Sequence, residues 1–214
     1  MNTKAEKKRK LRFVVIGAGI SGILCGKRLL DEGYDDFTIY EKGDSAGGTW
    51  RENRYPGVAC DTPAHVYCFS FDLNPNWSKS CAPGSELHAY LGSVSDKYRV
   101  TPHIRFNTEI TSCEYRDGRW HIKGSSGVDD IADVLICATG ALHHPRFPDI
   151  RGLDSFAGTC MHSAQWPEGF SVDGKRVGVI GAGATATQLV TEIADKVKHL
   201  AVFQRTVQWI YPSP

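Results

Sequence analysis

Two short glycine-rich segments hold the chemistry that this sequence states most plainly. Gly17-Ala18-Gly19-Ile20-Ser21-Gly22 and Gly181-Ala182-Gly183-Ala184-Thr185-Ala186 have the spacing with which a strand-to-helix turn receives a pyrophosphate. The first glycine makes the tight turn, the second lets the backbone approach the anion, and the third, Gly22 or the small Ala186, allows close helix packing. Free N–H groups and the dipole at the helix N-terminus favour the negative charge. At the same offset from the first glycine of each copy stand Glu41 and Arg205. A carboxylate can accept hydrogen bonds from both hydroxyls of an adenosine ribose and would repel a 2′-phosphate. A guanidinium can grip that phosphate bidentately, with Thr206 as a second phosphate ligand. The contrast predicts FAD on the first unit and NADPH, rather than NADH, on the second.

Elements of the right kind flank both turns. Leu11 to Ile16 is a short apolar run, Ile23 to Leu30 has helical spacing, and Phe37 to Tyr40 reads as a second strand. Arg176 to Ile180, the helical stretch Thr185 to Ala194 and His199 to Phe203 repeat that order, an internal duplication of one βαβ unit. Between the copies, Ser85 to Tyr98 reads as a helix. Glu109 to Tyr115 and Arg119 to Lys123 flank Asp117-Gly118 as a hairpin, and Ile131 to Cys137 reads as one buried strand leading into Ala138-Thr139-Gly140. Residues 141–175 are rich in Pro, Gly and His and fit no long periodic element. The expected fold class is α/β: a Rossmann-like FAD-binding domain with an inserted antiparallel hairpin, then the start of a second Rossmann-like, NADPH-binding domain. The expected boundaries are a basic disordered tail at 1–11, the FAD domain at 12–140, a linker at 141–175, and the first βαβ unit of an incomplete NADPH domain at 176–214.

Composition removes several other classes. With 25 Lys and Arg against 24 Asp and Glu, the net charge of +1 provides no field for nucleic acid or an anionic membrane surface. The basic residues Lys4, Lys7, Lys8, Arg9, Lys10 and Arg12 read as a solvated tail. Apolar residues from Phe13 to Cys25 imitate a secretory signal, but Gly17, Gly19 and Gly22 interrupt them and no cleavage site follows. No run reaches the ~18 apolar residues of a membrane span. The seven cysteines are odd in number and form no CxxC, which argues against a disulfide framework, a metal site and a pyridine-nucleotide disulfide reductase. A cytoplasmic protein is expected.

Gly47-Gly48-Thr49-Trp50-Arg51-Glu52-Asn53-Arg54-Tyr55-Pro56-Gly57-Val58-Ala59-Cys60-Asp61 resembles the motif of the Baeyer–Villiger monooxygenases and matches it at every fixed position. Phe156, Gly158, His162 and Trp166-Pro167 resemble the second fingerprint of that family, located between its two nucleotide domains. The likeness runs from Phe13 to Thr206. It implies FAD contacts at Glu41, Thr49, Trp50, Arg51, Glu52, Asp61, Tyr67 and Ile110, the last through its backbone. It implies NADP contacts at Ala59, Cys60 and Asp61, at Ala182, Gly183, Ala184, Thr185, Ala186, Thr187 and Gln188, and at Arg205 and Thr206. Ala138-Thr139-Gly140 resembles the segment that returns the chain towards the flavin.

The reaction so implied is hydride transfer from NADPH to FAD, activation of O2 by the reduced flavin, and insertion of one oxygen atom beside a ketone carbonyl. The products are an ester or lactone, NADP+ and water. Asp61 is the catalytic candidate: the resemblance implies that it orients an arginine lying beyond Pro214, and its apolar, aromatic-rich surroundings suggest a buried carboxylate that needs a partner. His162 is expected to couple the domains. Because that arginine and much of the substrate pocket would follow Pro214, these residues alone are expected to bind FAD poorly and not to oxygenate. A lipophilic ketone is the expected substrate, with secondary metabolism as the setting. An N- or S-oxygenating flavin monooxygenase and a catalytically incompetent nucleotide-binding remnant stay open beside this reading, and the oligomeric state is left undetermined.

Overall fold

The computed structural model describes residues 10–210. The basic residues Lys4, Lys7, Lys8 and Arg9 lie outside the described residues. The elements run β1 (Phe13–Ile16), α1 (Ile20–Asp31), β2 (Phe37–Tyr40), α2 (Thr49–Glu52), α3 (Gly84–Lys97), β3 (Ile104–Arg105), β4 (Ile110–Arg116), β5 (Arg119–Gly124), β6 (Asp129–Ala132), β7 (Val134–Cys137), β8 (Arg176–Ile180), α4 (Ala184–Ile193) and β9 (His199–Phe203). The chain forms two compact units. One comprises the chain up to Gly48 together with Ala89–Ala141, the other Thr49–His88 together with the chain from Leu142 onward.

The first unit contains a parallel sheet in the order β3-β2-β1-β7. Its central strands are apolar except for Thr38 because both faces are covered: Val14, Val15 and Ile39 are fully buried and Tyr40 nearly so. Ile23 of α1 is also fully buried. The insertion is an antiparallel sheet of three strands, β4-β5-β6, rather than a hairpin alone. At its turn, Asp117 and Gly118 both have positive φ, 52° and 75°, the pattern of a tight type I′ hairpin.

The run Ile131 to Cys137, expected as one buried strand, is two strands in two different sheets. Asp133 breaks it. Its amide donates to the Arg12 carbonyl at 2.9 Å and its carboxylate accepts from the Arg12 amide at 2.9 Å, so β6 ends there and β7 starts alongside β1. Neither strand is buried along its whole length.

Arg12 is likewise no part of a solvated tail. Its guanidinium donates to Asp130 at 3.0 Å from Nε, to Asp36 at 2.8 Å and to Thr38 at 3.1 Å, and the Tyr40 hydroxyl donates to the same Asp130 carboxylate at 2.8 Å. Three acids gather round the start of β1: the planar guanidinium of Arg12 satisfies Asp36 and Asp130, and the Arg12 amide satisfies Asp133. Burial pushes the Tyr40 phenol up to about 12, with Asp130 adding to the effect.

The second unit repeats the βαβ theme: β8 and β9 pair in parallel with α4 between them. Its core joins Tyr55, Val172, Leu189 and Ile193, with Val58, Trp166 and Phe170 packed around them. Residues 141–175 contain only the single 3-10 turns Leu153–Ser155 and Ser163–Gln165. Among the described residues no helix is long and apolar enough to cross a membrane.

Candidate functional site: two dinucleotide turns

In the first unit, Gly17, Glu41 and Ala138 follow directly on the carboxyl ends of β1, β2 and β7, where open α/β sheets bind ligands. Gly17 has φ of 101°, and a Cβ on it would lie 2.5 Å from the Ala138 carbonyl oxygen. A Cβ on Gly22 would fall 1.9 Å from the Gly17 oxygen. Those two glycines are required by the protein's own packing. Gly19 is not: a Cβ there would meet only ordinary contact, 3.5 Å from Gly48 Cα, which leaves room for an approaching anion. Helix α1 starts immediately after Gly19 with no side-chain cap and no acid in its first turn, so its leading N–H groups are not answered by a side chain.

Glu41 is buried. One carboxylate oxygen accepts from the Ala18 amide at 2.8 Å, the other from the Gly43 amide at 2.7 Å. A carboxylate oxygen has two lone pairs and can accept from more than one donor, the chemistry a ribose hydroxyl would need. Ile110 opens β4 opposite Gly124 in the antiparallel sheet, and its half-buried side chain packs on a cluster containing Val14, Tyr40 and Ile122.

In the second unit the turn is built the same way. The Gly181 amide donates to the carbonyl of Phe203, the last residue of β9, at 2.9 Å, as the Gly17 amide donates to Tyr40, the last residue of β2, at 2.8 Å. Gly181 has φ of 126°. Gly183 has an ordinary φ of −74° and no atom within 4 Å of a would-be Cβ. Nothing in the protein requires glycine there, whereas a phosphate on the backbone would. Helix α4 again has no side-chain cap and no acid in its first turn. The residue types and the open space fit a dinucleotide at both turns.

Strand register corrects one equivalence. Ile16 pairs with Tyr40 and Ile180 with Phe203, so the counterpart of Glu41 is Gln204, and Arg205 stands one residue further. Counting from the glycine missed this because the second copy is one residue shorter between turn and strand end. Gln204, Arg205 and Thr206 are all exposed just past β9.

The long motif lies mainly in the second unit. Trp50 Nε1 donates to the Tyr67 hydroxyl at 3.3 Å, with the two rings edge-on at 5.7 Å. Arg51 is buried and donates to Glu52 at 3.0 Å, and the other Glu52 oxygen meets His143 Nδ1 at 2.9 Å. Nothing in the sequence signalled His143. Cys60 is buried, and burial pushes its thiol up. Asp61, expected to be a buried carboxylate in want of a partner, is exposed. Its apolar sequence neighbours turn inward, as Cys60 and Ala64 do, and the carboxylate turns outward.

Tyr55 is buried against Leu189 and Ile193 and donates to Gln188 Oε1 at 2.8 Å. Its phenol is pushed up by burial, with the negative charge of Asp61 acting in the same direction and a hydrogen bond with Thr185 against it. His162 Nδ1 accepts from the Ala164 amide at 3.1 Å and caps the following turn, which puts the proton of the neutral ring on Nε2. Trp166 Nε1 donates to the Phe170 carbonyl at 3.3 Å.

An α/β chain with two such turns has the construction of a two-dinucleotide flavoprotein, and comparison with known proteins gives its family. Residues 9–213 match the flavin-binding monooxygenase-like family, and the chain belongs to that family. It is 44% identical to a Baeyer–Villiger monooxygenase of Streptomyces coelicolor over 94% of its own length and 39% of that protein. It is similar to the NADP+-bound cyclohexanone monooxygenase of Rhodococcus sp. Phi1, at a TM-score of 0.88 and 41% identity, over 94% of this chain and 39% of that one. It is similar also to OTEMO in its complex with FAD and NADP, at a TM-score of 0.87 and 38% identity, over 94% and 40%. The chain thus spans about 40% of the length of the relatives it matches.

Proposed function

We propose that this chain supplies the dinucleotide-binding machinery of an FAD- and NADPH-dependent monooxygenase of the Baeyer–Villiger type. The observation that carries the reading is the pair of uncapped, glycine-led helices, one followed by Glu41 at the end of its second strand and the other by Gln204 and Arg205. In this reading residues 12–140 carry FAD-binding residues, 141–175 connect, and the chain from 176 carries NADPH.

Gly17, Gly19 and Gly22 let the FAD pyrophosphate reach the start of α1, and Glu41 accepts from the ribose. Thr49, Trp50, Arg51, Glu52, Tyr67 and Ile110 are assigned to FAD by the family resemblance, Ile110 through its backbone. Gly181 to Thr187 receive the NADPH pyrophosphate on α4, while Arg205 and Thr206 hold the 2′-phosphate. Asp61, open to solvent in the second unit, is available to orient a cation beside the reacting centre. FAD, when bound and reduced, supplies the reaction with O2.

The substrate class proposed is a lipophilic ketone, following the ketone in the name of the Rhodococcus enzyme. The test is made on this chain continued to the full length of its relatives, supplied with cyclic ketones, tertiary amines and sulfides, NADPH and isotopically heavy O2. One heavy oxygen in an ester or lactone supports the proposal. Heavy oxygen only in N-oxides or sulfoxides would move the chain to the nitrogen- and sulfur-oxygenating enzymes, and NADPH consumption with no oxygenated product would overturn the assignment.

A further inference from the structure

The side-chain amide of Gln188 has no polar atom left idle. Its Nε2 donates to the Ala59 carbonyl at 2.9 Å, and its Oε1 accepts from the Ala59 amide at 3.4 Å and from the Tyr55 hydroxyl at 2.8 Å. Both bonds to Ala59 fall on the N–H and C=O of one residue, the recognition that a neighbouring strand would make. On their other edge the adjoining residues do meet such a neighbour. Cys60 N donates to the Ala82 carbonyl at 2.9 Å, Gly84 N donates to the Val58 carbonyl at 2.9 Å, and Ala59 bridges to Pro83. Gln188 therefore completes a short ribbon from the opposite side.

Gly57 adds an independent sign that this loop is seated on α4. It has φ of 81°, and a Cβ there would lie 2.7 Å from the Gln188 carbonyl oxygen and 3.0 Å from Glu192 Cβ. The turn rests directly on helix backbone, at a distance only glycine permits. All these groups belong to the second unit.

We infer that Gln188 is a positioning residue, which clamps the Ala59 peptide and thereby ties the loop bearing Asp61 to the helix whose first turn receives the nicotinamide dinucleotide. This goes beyond a contact between Gln188 and the dinucleotide: the amide holds protein, and its effect on the cofactor passes through the loop. The inference rests on the assignment of α4 to NADPH. Arrival of NADP+ at Gly181–Thr187 is then felt at the clamped Ala59 and at Asp61, two residues further along the loop.

Amide hydrogen exchange, read segment by segment with and without NADP+, tests this in wild type, Gln188→Met, Gln188→Glu and Tyr55→Phe. In wild type NADP+ slows exchange at both 181–188 and 57–62. In Gln188→Met, exchange at 57–62 is roughly tenfold faster without ligand, and NADP+ protects 181–188 alone. Gln188→Glu keeps the acceptor oxygen and loses the donor, so it falls between. Tyr55→Phe keeps both bonds to Ala59 and leaves protection at 57–62 close to wild type. Two results would overturn the clamp: unchanged protection of 57–62 in Gln188→Met with weakened NADP+ binding, which makes Gln188 a direct ligand, or equal loosening in Tyr55→Phe, which makes packing the cause. Absence of NADP+ protection at 181–188 in wild type would instead overturn the NADPH assignment itself.

Discussion

The carboxylate of Glu41 accepts a hydrogen bond from the Ala18 amide at 2.8 Å, so the acid that ends β2 braces the turn that ends β1. The same group is the proposed ribose acceptor. Glu41→Gln presents an N–H to a backbone N–H or loses half of the brace. Charge-assisted bonds contribute about 1.5–3 kcal/mol, so FAD affinity falls on the order of 10- to 100-fold, measured by titrating with flavin the apoprotein in which this chain is continued to its relatives' full length. Unchanged affinity would remove Glu41 from the site.

Gly22 and Gly183 separate a packing role from a ligand role. Gly22→Ala forces a Cβ to 1.9 Å from the Gly17 oxygen and lowers the thermal midpoint by several degrees, at ~1–3 kcal/mol of overpacking. Gly183→Ala meets nothing within 4 Å. Its midpoint stays at the wild-type value while NADP+ binding weakens. Equal binding in the Gly183 variant would show that the second turn does not receive the pyrophosphate.

Cofactor choice should reside just past β9. Arg205→Ala loses a bidentate grip on the 2′-phosphate and lowers the NADPH-over-NADH preference by roughly 10- to 100-fold. Gln204 is the register counterpart of Glu41; Gln204→Glu places a carboxylate near the 2′-phosphate and shifts preference the same way. KM for each nucleotide measures both.

The Arg12–Asp130 node fixes an acid response. Burial alone would raise the Asp130 carboxyl, but the hydrogen bonds from Arg12 and Tyr40 outweigh it and hold it below the usual range. A carboxyl depressed in the folded state stabilises above its ordinary pKa of about 4, and that contribution is lost as pH falls through the lowered value. Asp130→Asn costs about 2 kcal/mol at neutral pH and flattens the fall of stability that sets in below pH ~5. Chemical denaturation across that range measures it.

Much of the fold is legible in the sequence, and the misses have physical causes. Phe37–Tyr40, Arg176–Ile180 and His199–Phe203 stand as expected because short apolar runs between turn residues have one solution. The split at Asp133 was invisible because a single acid in an apolar stretch reads as noise until Arg12 is found beside it. The four-residue α2 is too short to show a period. Arg205 was aligned by counting, and register moved it by one. The contact of Gln188 with Ala59 joins residues far apart in sequence through side-chain amide and backbone, and no local pattern encodes such a pair. Sequence likewise cannot say which way a loop carboxylate turns, and Asp61 turned out.

Anaerobic reduction tests the central claim most directly: this chain, continued to the full length of its relatives and loaded with FAD, is mixed with NADPH and, separately, with NADH while the visible flavin band is followed. The account predicts that NADPH bleaches the band and that NADH does so at much higher concentration, a preference that Arg205→Ala erases. A band that holds steady with both nucleotides, or that bleaches equally with each, would contradict it.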